Sequence, residues 1–134
     1  MSDGVIGWGY VEAGPENLSV LCRPGRVYYF IYRDPRDLLV SQVFFATEMH
    51  AGHGMHEFYR SMPDFGERLR VAITGIDRDG LKMVSVRGRY DGVFEWLEQP
   101  GVLCLRFEDL VNDRDATLHA MLDEVEKTGY RIPT

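Results

Sequence analysis

Apolar residues concentrate in two short runs that are separated by a long stretch of helix-like sequence. The first run, V-Y-Y-F-I-Y at residues 27–32, combines β-branched and aromatic side chains, and the second, V-L-C-L-R-F at residues 102–107, is similar. Continuous runs of this length are typical of strands that are buried on both faces. Two such strands joined by helices predict a parallel sheet, with strands at residues 27–32 and 102–106, in an α/β domain.

The rest of the chain shows the apolar spacing of helices. The helix from residue 35 to residue 49 is apolar nearly all round, which predicts a central helix covered on more than one side. The D-R-D-G sequence at residues 77–80 predicts a turn. The other predicted helices cover residues 15–22, 58–76 with a break near Met62, 84–98, and a last segment that begins at Asn112 or Asp113 and ends near Gly129.

The junction after the first strand carries the clearest candidate chemistry. Asp34 has the side chain that an N-cap needs, and Pro35 suits the first helical position. Open α/β sheets bind anions at such junctions, where backbone N–H groups are free. Arg33 and Arg36 flank the junction, and Ser41 follows about two helical turns later. The pattern predicts a phosphate or sulfate site with Arg33 as the bidentate donor; alternatively, Arg33 only pairs with a carboxylate at the sheet edge.

Size and charge restrict the classes of protein to which the chain can belong. The 134 residues suit one domain, residues 1–134, and the net charge of −6 does not favour a nucleic-acid surface. No apolar run approaches membrane length, and two cysteines are too few for a disulfide framework, so we expect a cytoplasmic chain with reduced thiols. A local basic cluster within this acidic chain favours a small polyanionic ligand; its members are Arg23, Arg26, Arg33 and Arg36.

Two segments together resemble the PAPS-dependent sulfotransferases, which use 3′-phosphoadenosine 5′-phosphosulfate. Residues 32–41, Y-R-D-P-R-D-L-L-V-S, resemble the family's 3′-phosphate-binding segment, R-[DN]-P-[RK]-D-x-x-[VA]-S. Residues 102–110, V-L-C-L-R-F-E-D-L, resemble its second signature, a strand ending in R-Y-E-D-L, and Trp96-Leu97 precede that strand at the family's spacing. The resemblance runs from about Trp8 to the end of the chain. It implies a three-layer α/β fold, a parallel sheet with flanking helices, that forms part of a sulfotransferase (P-loop-NTPase-like) fold.

The resemblance also implies a ligand and a reaction. Arg33 and Ser41 would hold the 3′-phosphate of PAPS or of its product PAP, and Phe107, where the family has Tyr, would pack near the nucleotide. The complete enzyme would transfer a sulfuryl group to a hydroxyl or amine of a small-molecule acceptor. The family's general base is a His that follows Gly, and the matching pair here is Gly9-Tyr10. Tyrosine is a poor base at neutral pH, so no catalytic residue is assigned.

Two further family loops have no counterpart in the sequence. Gly7-Trp8-Gly9 lacks the Lys and the Ser/Thr of a P-K-S-G-T-T-W-like loop for the 5′-phosphosulfate, and the sequence ends at Thr134 before an R-K-G-x-x-G-D-W-like loop. Because loss of one anion-stabilising donor costs roughly 3–4 kcal/mol, we expect a weak or partial PAPS site and weak or no turnover by this truncated domain.

Two alternatives to an enzyme domain stay open. The chain could be a non-catalytic binding or interaction module that keeps the sulfotransferase fold. Less favoured is an unrelated α/β phosphate-binding protein that shares the strand–Arg–Asp–Pro–helix junction. A sheet without the family's N-terminal strand also predicts an uncovered edge or face, and hence self-association as a symmetric dimer.

Three of the four histidines, His50, His53 and His56, recur at every third residue. This spacing suits a metal site, but Gly52 and Gly54 indicate a flexible turn, and neither Cys nor Asp joins the cluster. The segment predicts a polar loop beside the acceptor-binding cleft and no metal site.

Overall fold

The computed structural model of the chain describes residues 7–78 and 80–130, so both ends of the predicted 1–134 domain extend beyond it. The strands are β1 (Tyr28–Tyr32), β2 (Ile76–Arg78), β3 (Leu81–Met83) and β4 (Val102–Arg106). The helices are α1 (Pro15–Leu21), α2 (Pro35–Phe44), α3 (His56–Arg60), α4 (Phe65–Thr74), α5 (Val86–Phe94), α6 (Phe107–Asn112) and α7 (Arg114–Lys127). A π-helical turn at Phe45–Met49 continues α2, and a 3₁₀ helix at Glu95–Glu98 continues α5.

The two apolar runs form one parallel pair. β1 pairs with β4 in a register that runs from Tyr28 opposite Val102 to Tyr32 opposite Arg106. The predicted parallel pairing is confirmed, and the predicted strand bounds agree within one residue. The predicted helices at residues 35–49 and 84–98 are also confirmed, the latter as α5 and its 3₁₀ continuation.

The predicted turn at residues 77–80 was only partly right. Asp77 and Arg78 belong to β2, which pairs antiparallel with β3. Asp79, the third residue of the predicted turn, lies outside the described residues. Strands of three residues are too short for an alternating pattern to show in the sequence, which is why this hairpin was missed.

Helices contact the β1–β4 sheet on both faces. The Tyr29 hydroxyl donates a hydrogen bond to the Met121 carbonyl of α7 at 2.6 Å. On the other face, the Cys104 Sγ lies 3.6 Å from the carbonyl oxygen of Trp96 in the 3₁₀ helix. Register partners share a face and successive residues alternate, so these contacts place α7 and the 3₁₀ helix on opposite sides. The architecture is therefore mixed α/β, a small parallel sheet with flanking helices.

Burial differs from the sequence prediction at both central elements. β1 is not buried on both faces, because all of its residues are at least partly exposed and Ile31 is 52% exposed. In the described part of the chain, β1 has a neighbouring strand on one edge only, and that neighbour is β4. The expectation that α2 is covered on several sides was also wrong, since Val40 and Phe44 are about half exposed.

The buried core of the helical part lies beside α2 instead. α2 presents Leu39 and Val43 to α3 and α4, whereas Val40 and Phe44 elsewhere on the helix are about half exposed. The buried members of this cluster are Leu39, Val43, Ala46, Tyr59 and Ala72. None of the helices in the described ranges combines the length and the apolar character that crossing a bilayer requires.

Candidate functional site

The junction between β1 and α2 has the geometry that its sequence predicts. Asp34 is the N-cap of α2, and its side chain accepts a hydrogen bond from the Arg36 backbone N–H at 2.9 Å. Pro35 occupies the first helical turn, where its missing N–H costs nothing. Both capping predictions are confirmed, and the chain therefore leaves β1 and enters α2 in a defined direction.

Arg36 is engaged at this cap. Its guanidinium hydrogen-bonds the Asp34 carboxylate, with 3.0 Å from Nε to Oδ1 and 2.6 Å from Nη2 to Oδ2. These hydrogen bonds lower the pKa of Asp34 to about 2. The Arg36 side chain is otherwise 89% exposed. Because Asp34 and Arg36 neutralise each other, neither contributes a free charge to the junction.

Arg33 is held in a different way. Its Cζ lies 4.9 Å from the centroid of the Phe107 ring, within the range of a cation–π contact. The Nε atom is buried without a hydrogen-bond partner. Within residues 7–78 and 80–130, Arg33 forms no ion pair shorter than 4 Å, but its charge contributes to the lowered pKa of the Glu108 carboxyl, so the alternative interpretation stays open. The guanidinium is thus oriented by an aromatic face; its Nε is buried, so contact with a ligand falls to its two Nη groups.

Glu108 joins the two sequence motifs. Its Oε1 accepts a hydrogen bond from the Asp34 backbone N–H at 3.1 Å. Its Oε2 is buried without a hydrogen bond and lies 3.7 Å from the Arg106 Nε. The hydrogen bond from Asp34, followed by that from its own backbone N–H, holds the pKa of Glu108 below its ordinary value. No role of Glu108 was predicted from the sequence, although the residue lies within the second motif.

The other predicted site residues do not join this cluster. Ser41 is exposed on α2, about 10 Å along the helix axis from Asp34. Tyr10 is 99% exposed, and its ring meets Trp8 edge-on with centroids 6.4 Å apart. Neither hydroxyl forms a hydrogen bond with a described residue. The structure therefore brings Arg33 and Phe107 together and leaves Ser41 and Tyr10 exposed.

An open surface cleft of ≈ 580 Å³ lies at the carboxyl ends of β1 and β4. Parallel strands bring their carboxyl ends to one edge of a sheet, where open α/β folds bind ligands. Arg106 was not among the predicted site residues, although its position at the end of the second strand was a usable signal. The cleft is lined by Tyr32, Arg33, Asp34, Pro35, Phe94, Leu97, Glu98 and Arg106.

Two of the clustered histidines serve local structure. The His56 Nδ1 donates to the Ala46 carbonyl at 2.8 Å, and the His53 Nδ1 accepts from the Met55 backbone N–H at 3.1 Å. The rings of His50 and His53 lie 6.3 Å apart between centroids. Across the described ranges, no group of three His, Cys, Asp or Glu side chains is arranged to hold a metal ion.

Neither a protein-family model nor a curated protein nor a solved structure matches the chain. The functional interpretation therefore depends on the two sequence motifs and on the contacts between them.

Proposed function

We propose that this chain is a sulfotransferase-type domain that binds the 3′-phosphate side of PAPS or PAP. The single observation that carries the proposal is the Arg33 guanidinium, stacked on Phe107 at the start of α2 and without a protein partner in the described ranges. The two residues come from the two motifs that resemble the family. In the complete enzyme, this domain would support transfer of a sulfuryl group from PAPS to a hydroxyl or amine acceptor.

The junction makes Arg33 the main source of anion affinity. At the start of α2, Pro35 has no N–H, the Arg36 N–H is bonded to the Asp34 side chain, and the Asp34 N–H is bonded to Glu108. The helix N-terminus therefore retains few free donors. Arg33 presents a planar fork that suits bidentate contact with a phosphate, and Phe107 reduces the number of orientations that the fork samples.

The proposal extends to the fold and the cofactor. It assigns the helices on both faces of the β1–β4 sheet to the outer layers of a three-layer, partly sulfotransferase-like fold. It assigns PAPS or PAP as the nucleotide, held by Arg33 and Ser41 with Phe107 beside them. Since no 5′-phosphosulfate loop is recognisable, nothing offsets the entropy of ordering the other end of the ligand, and we expect affinity in the high micromolar range or weaker.

Calorimetric titration with PAP and with adenosine 5′-monophosphate tests the proposal, because the two nucleotides differ in the 3′-phosphate. We expect PAP to bind at least tenfold more tightly, because even one charge-assisted hydrogen bond contributes about 1.5–3 kcal/mol. Arg33→Ala should abolish this preference, and Arg33→Lys should restore part of it. The matched control, Arg26→Ala, should reduce it only modestly. Equal affinities in the wild-type chain, or an unchanged preference in Arg33→Ala, would show that the junction is structural.

Catalysis is tested separately. We expect no measurable sulfate transfer from PAPS to simple phenols or alcohols by this chain, since Tyr10 stands where the family has its base and is fully exposed to solvent. Robust sulfation would show that Tyr10, or another group, performs the proton transfer.

A second candidate function is a non-catalytic interaction module that keeps the fold. The observation that favours it is a set of large apolar side chains that the described residues cover only by half. They are Ile31 of β1, Val40 and Phe44 of α2, and Phe45 of the π-helical turn, each between 45% and 52% exposed. Large apolar patches on a protein surface are commonly used for association. Loss of the PAP preference combined with concentration-dependent self-association would favour this candidate over the nucleotide-binding domain.

A further inference from the structure

Glu108 connects the two motif segments beyond the end of the sheet. The register of the parallel strands ends with Tyr32 opposite Arg106. Two residues further along each segment, the Glu108 Oε1 accepts a hydrogen bond from the Asp34 backbone N–H at 3.1 Å, a contact between positions 74 apart in the chain. The two segments are therefore linked at two levels, first by the last register pair and then by this side chain.

Arg33 and Phe107 lie between these two links. Each is the single residue that separates the last register pair from the hydrogen-bonded pair, Arg33 on the first segment and Phe107 on the second. The guanidinium Cζ lies 4.9 Å from the centroid of the ring. Because each backbone is held on both sides, the position of the guanidinium over the ring depends on the second link as well as on the sheet.

The charge of Glu108 and its hydrogen bond would act on a bound phosphate in opposite directions. The side chain is 22% exposed, and its Oε2 is buried without a hydrogen bond, in an ion pair with the Arg106 Nε at 3.7 Å. By charge alone, a carboxylate beside a phosphate site weakens phosphate binding, since like charges repel. As the acceptor that holds the backbone beside Arg33, the same carboxylate strengthens it. Removal of the hydrogen bond and removal of the charge therefore have different signs.

We propose that Glu108 is a positioning residue for phosphate recognition, which holds Arg33 over the Phe107 ring through its hydrogen bond to the Asp34 N–H. The inference rests on the proposed function, because the group that Arg33 meets is the 3′-phosphate of PAP or PAPS. Glu108 does not contact that phosphate; it fixes where the two Nη groups of Arg33 point. The second motif then supports the first through its backbone as well as through an aromatic ring.

Two substitutions separate the reach of the side chain from its charge. Glu108→Gln keeps a side-chain oxygen at the same reach and removes the negative charge, whereas Glu108→Asp keeps the charge on a side chain that is one methylene shorter. Calorimetric titration with PAP and with adenosine 5′-monophosphate measures the affinity ratio in each. We expect Glu108→Gln to retain the wild-type ratio within about twofold, and Glu108→Asp to lower it about fivefold through weaker PAP binding. Glu98→Gln, which removes the charge of an exposed residue in the cleft lining, is the matched control and should not lower the ratio.

Amide hydrogen exchange tests the hydrogen bond without any ligand. The Asp34 N–H should exchange about tenfold more slowly in the wild-type chain and in Glu108→Gln than in Glu108→Asp. The Arg36 N–H, which is bonded to the Asp34 side chain within the same cap, is an internal control and should exchange at one rate in all three. Equal far-ultraviolet circular dichroism of the variants would show that a lost preference does not come from unfolding.

The two measurements separate this inference from the proposed function. An affinity ratio that falls in Glu108→Gln but not in Glu108→Asp, or that is the same in all three chains, would overturn the inference. Equal exchange of the Asp34 N–H in all three would overturn it as well. A wild-type chain without a PAP preference would overturn the proposed function and the phosphate role of Glu108 together, whereas slow exchange of the Asp34 N–H in that chain would still support Glu108 as the residue that holds Arg33.

Discussion

Trp96 links the helix that borders the cleft to the N-terminal part of the described chain, which makes Trp96→Phe an informative substitution. The side chain is 6% exposed, and its Nε1–H donates to the Val11 carbonyl at 2.9 Å. The preceding helix is tied to the same segment, because the Ala13 backbone N–H donates to the Gly92 carbonyl at 3.0 Å. Phenylalanine keeps an aromatic ring at the position but removes the indole N–H and part of the ring volume.

We expect Trp96→Phe to lower the free energy of unfolding by about 2 kcal/mol. Loss of the hydrogen bond contributes about 1 kcal/mol, at the ordinary net value, because Val11 is 42% exposed and its carbonyl can regain water. The smaller ring leaves a cavity that contributes about another 1 kcal/mol. For a domain of this size, each kcal/mol lost from the free energy of unfolding lowers the thermal midpoint by about 4 °C. We therefore expect the thermal midpoint to fall by about 8 °C.

Urea denaturation followed by far-ultraviolet circular dichroism measures this effect, and fluorescence checks the burial of Trp96. The chain has two tryptophans, and Trp8 is 89% exposed, so Trp8→Phe leaves Trp96 as the sole reporter and should change stability by less than about 0.5 kcal/mol. In Trp8→Phe, emission should be blue-shifted and poorly quenched by iodide until the chain unfolds. An unchanged denaturation midpoint in Trp96→Phe, or equal destabilisation by Trp8→Phe, would refute the burial and the hydrogen bond of Trp96.

Three further outcomes are expected. Because the pKa of Asp34 is lowered from 3.8 to about 2, its charge contributes stability above about pH 4 that is lost as the pH falls towards 2. Asp34→Asn, which still caps α2, should make the loss of stability between pH 4 and pH 2 smaller. An identical loss in the variant would contradict the lowered pKa. Burial raises the pKa of the Cys104 thiol whereas Cys22 is exposed, so Ellman's reagent at pH 8 should label Cys22 well before Cys104, and equal rates would count against that difference. The uncovered apolar side chains predict a dimer in sedimentation that Phe44→Glu weakens, whereas a monodisperse monomer at high concentration would argue against self-association.

The sequence alone determined the elements whose signals are local. The cap of α2 depends on a carboxylate meeting an N–H two residues away, so Asp34-Pro35 was sufficient to predict it. The two apolar runs predicted β1 and β4 because β-branched and aromatic residues favour strands. Their parallel pairing followed from the helical sequence between them, since a parallel connection needs a crossover.

The tertiary structure decided what holds each arginine. The sequence singled out Arg33 as the anion donor but gave no contact for it; in the structure Arg36 closes on its neighbour Asp34, whereas Arg33 lies over the Phe107 ring. That second contact joins residues far apart in the chain and exists because the parallel register brings the ends of β1 and β4 together. The cleft and Arg106 were overlooked for the same reason.

The tertiary structure also decided burial. An apolar run indicates how much apolar surface an element carries, but that surface is buried only where another element covers it. Val43 of α2 is buried because α3 and α4 pack against it, whereas Val40 and Phe44 of the same helix are half exposed. Ile31 of β1 is exposed for the same reason, since β4 covers only one edge of its strand. Hydrophobic burial depends on area removed from water by contacts between distant segments, and no local pattern encodes those contacts.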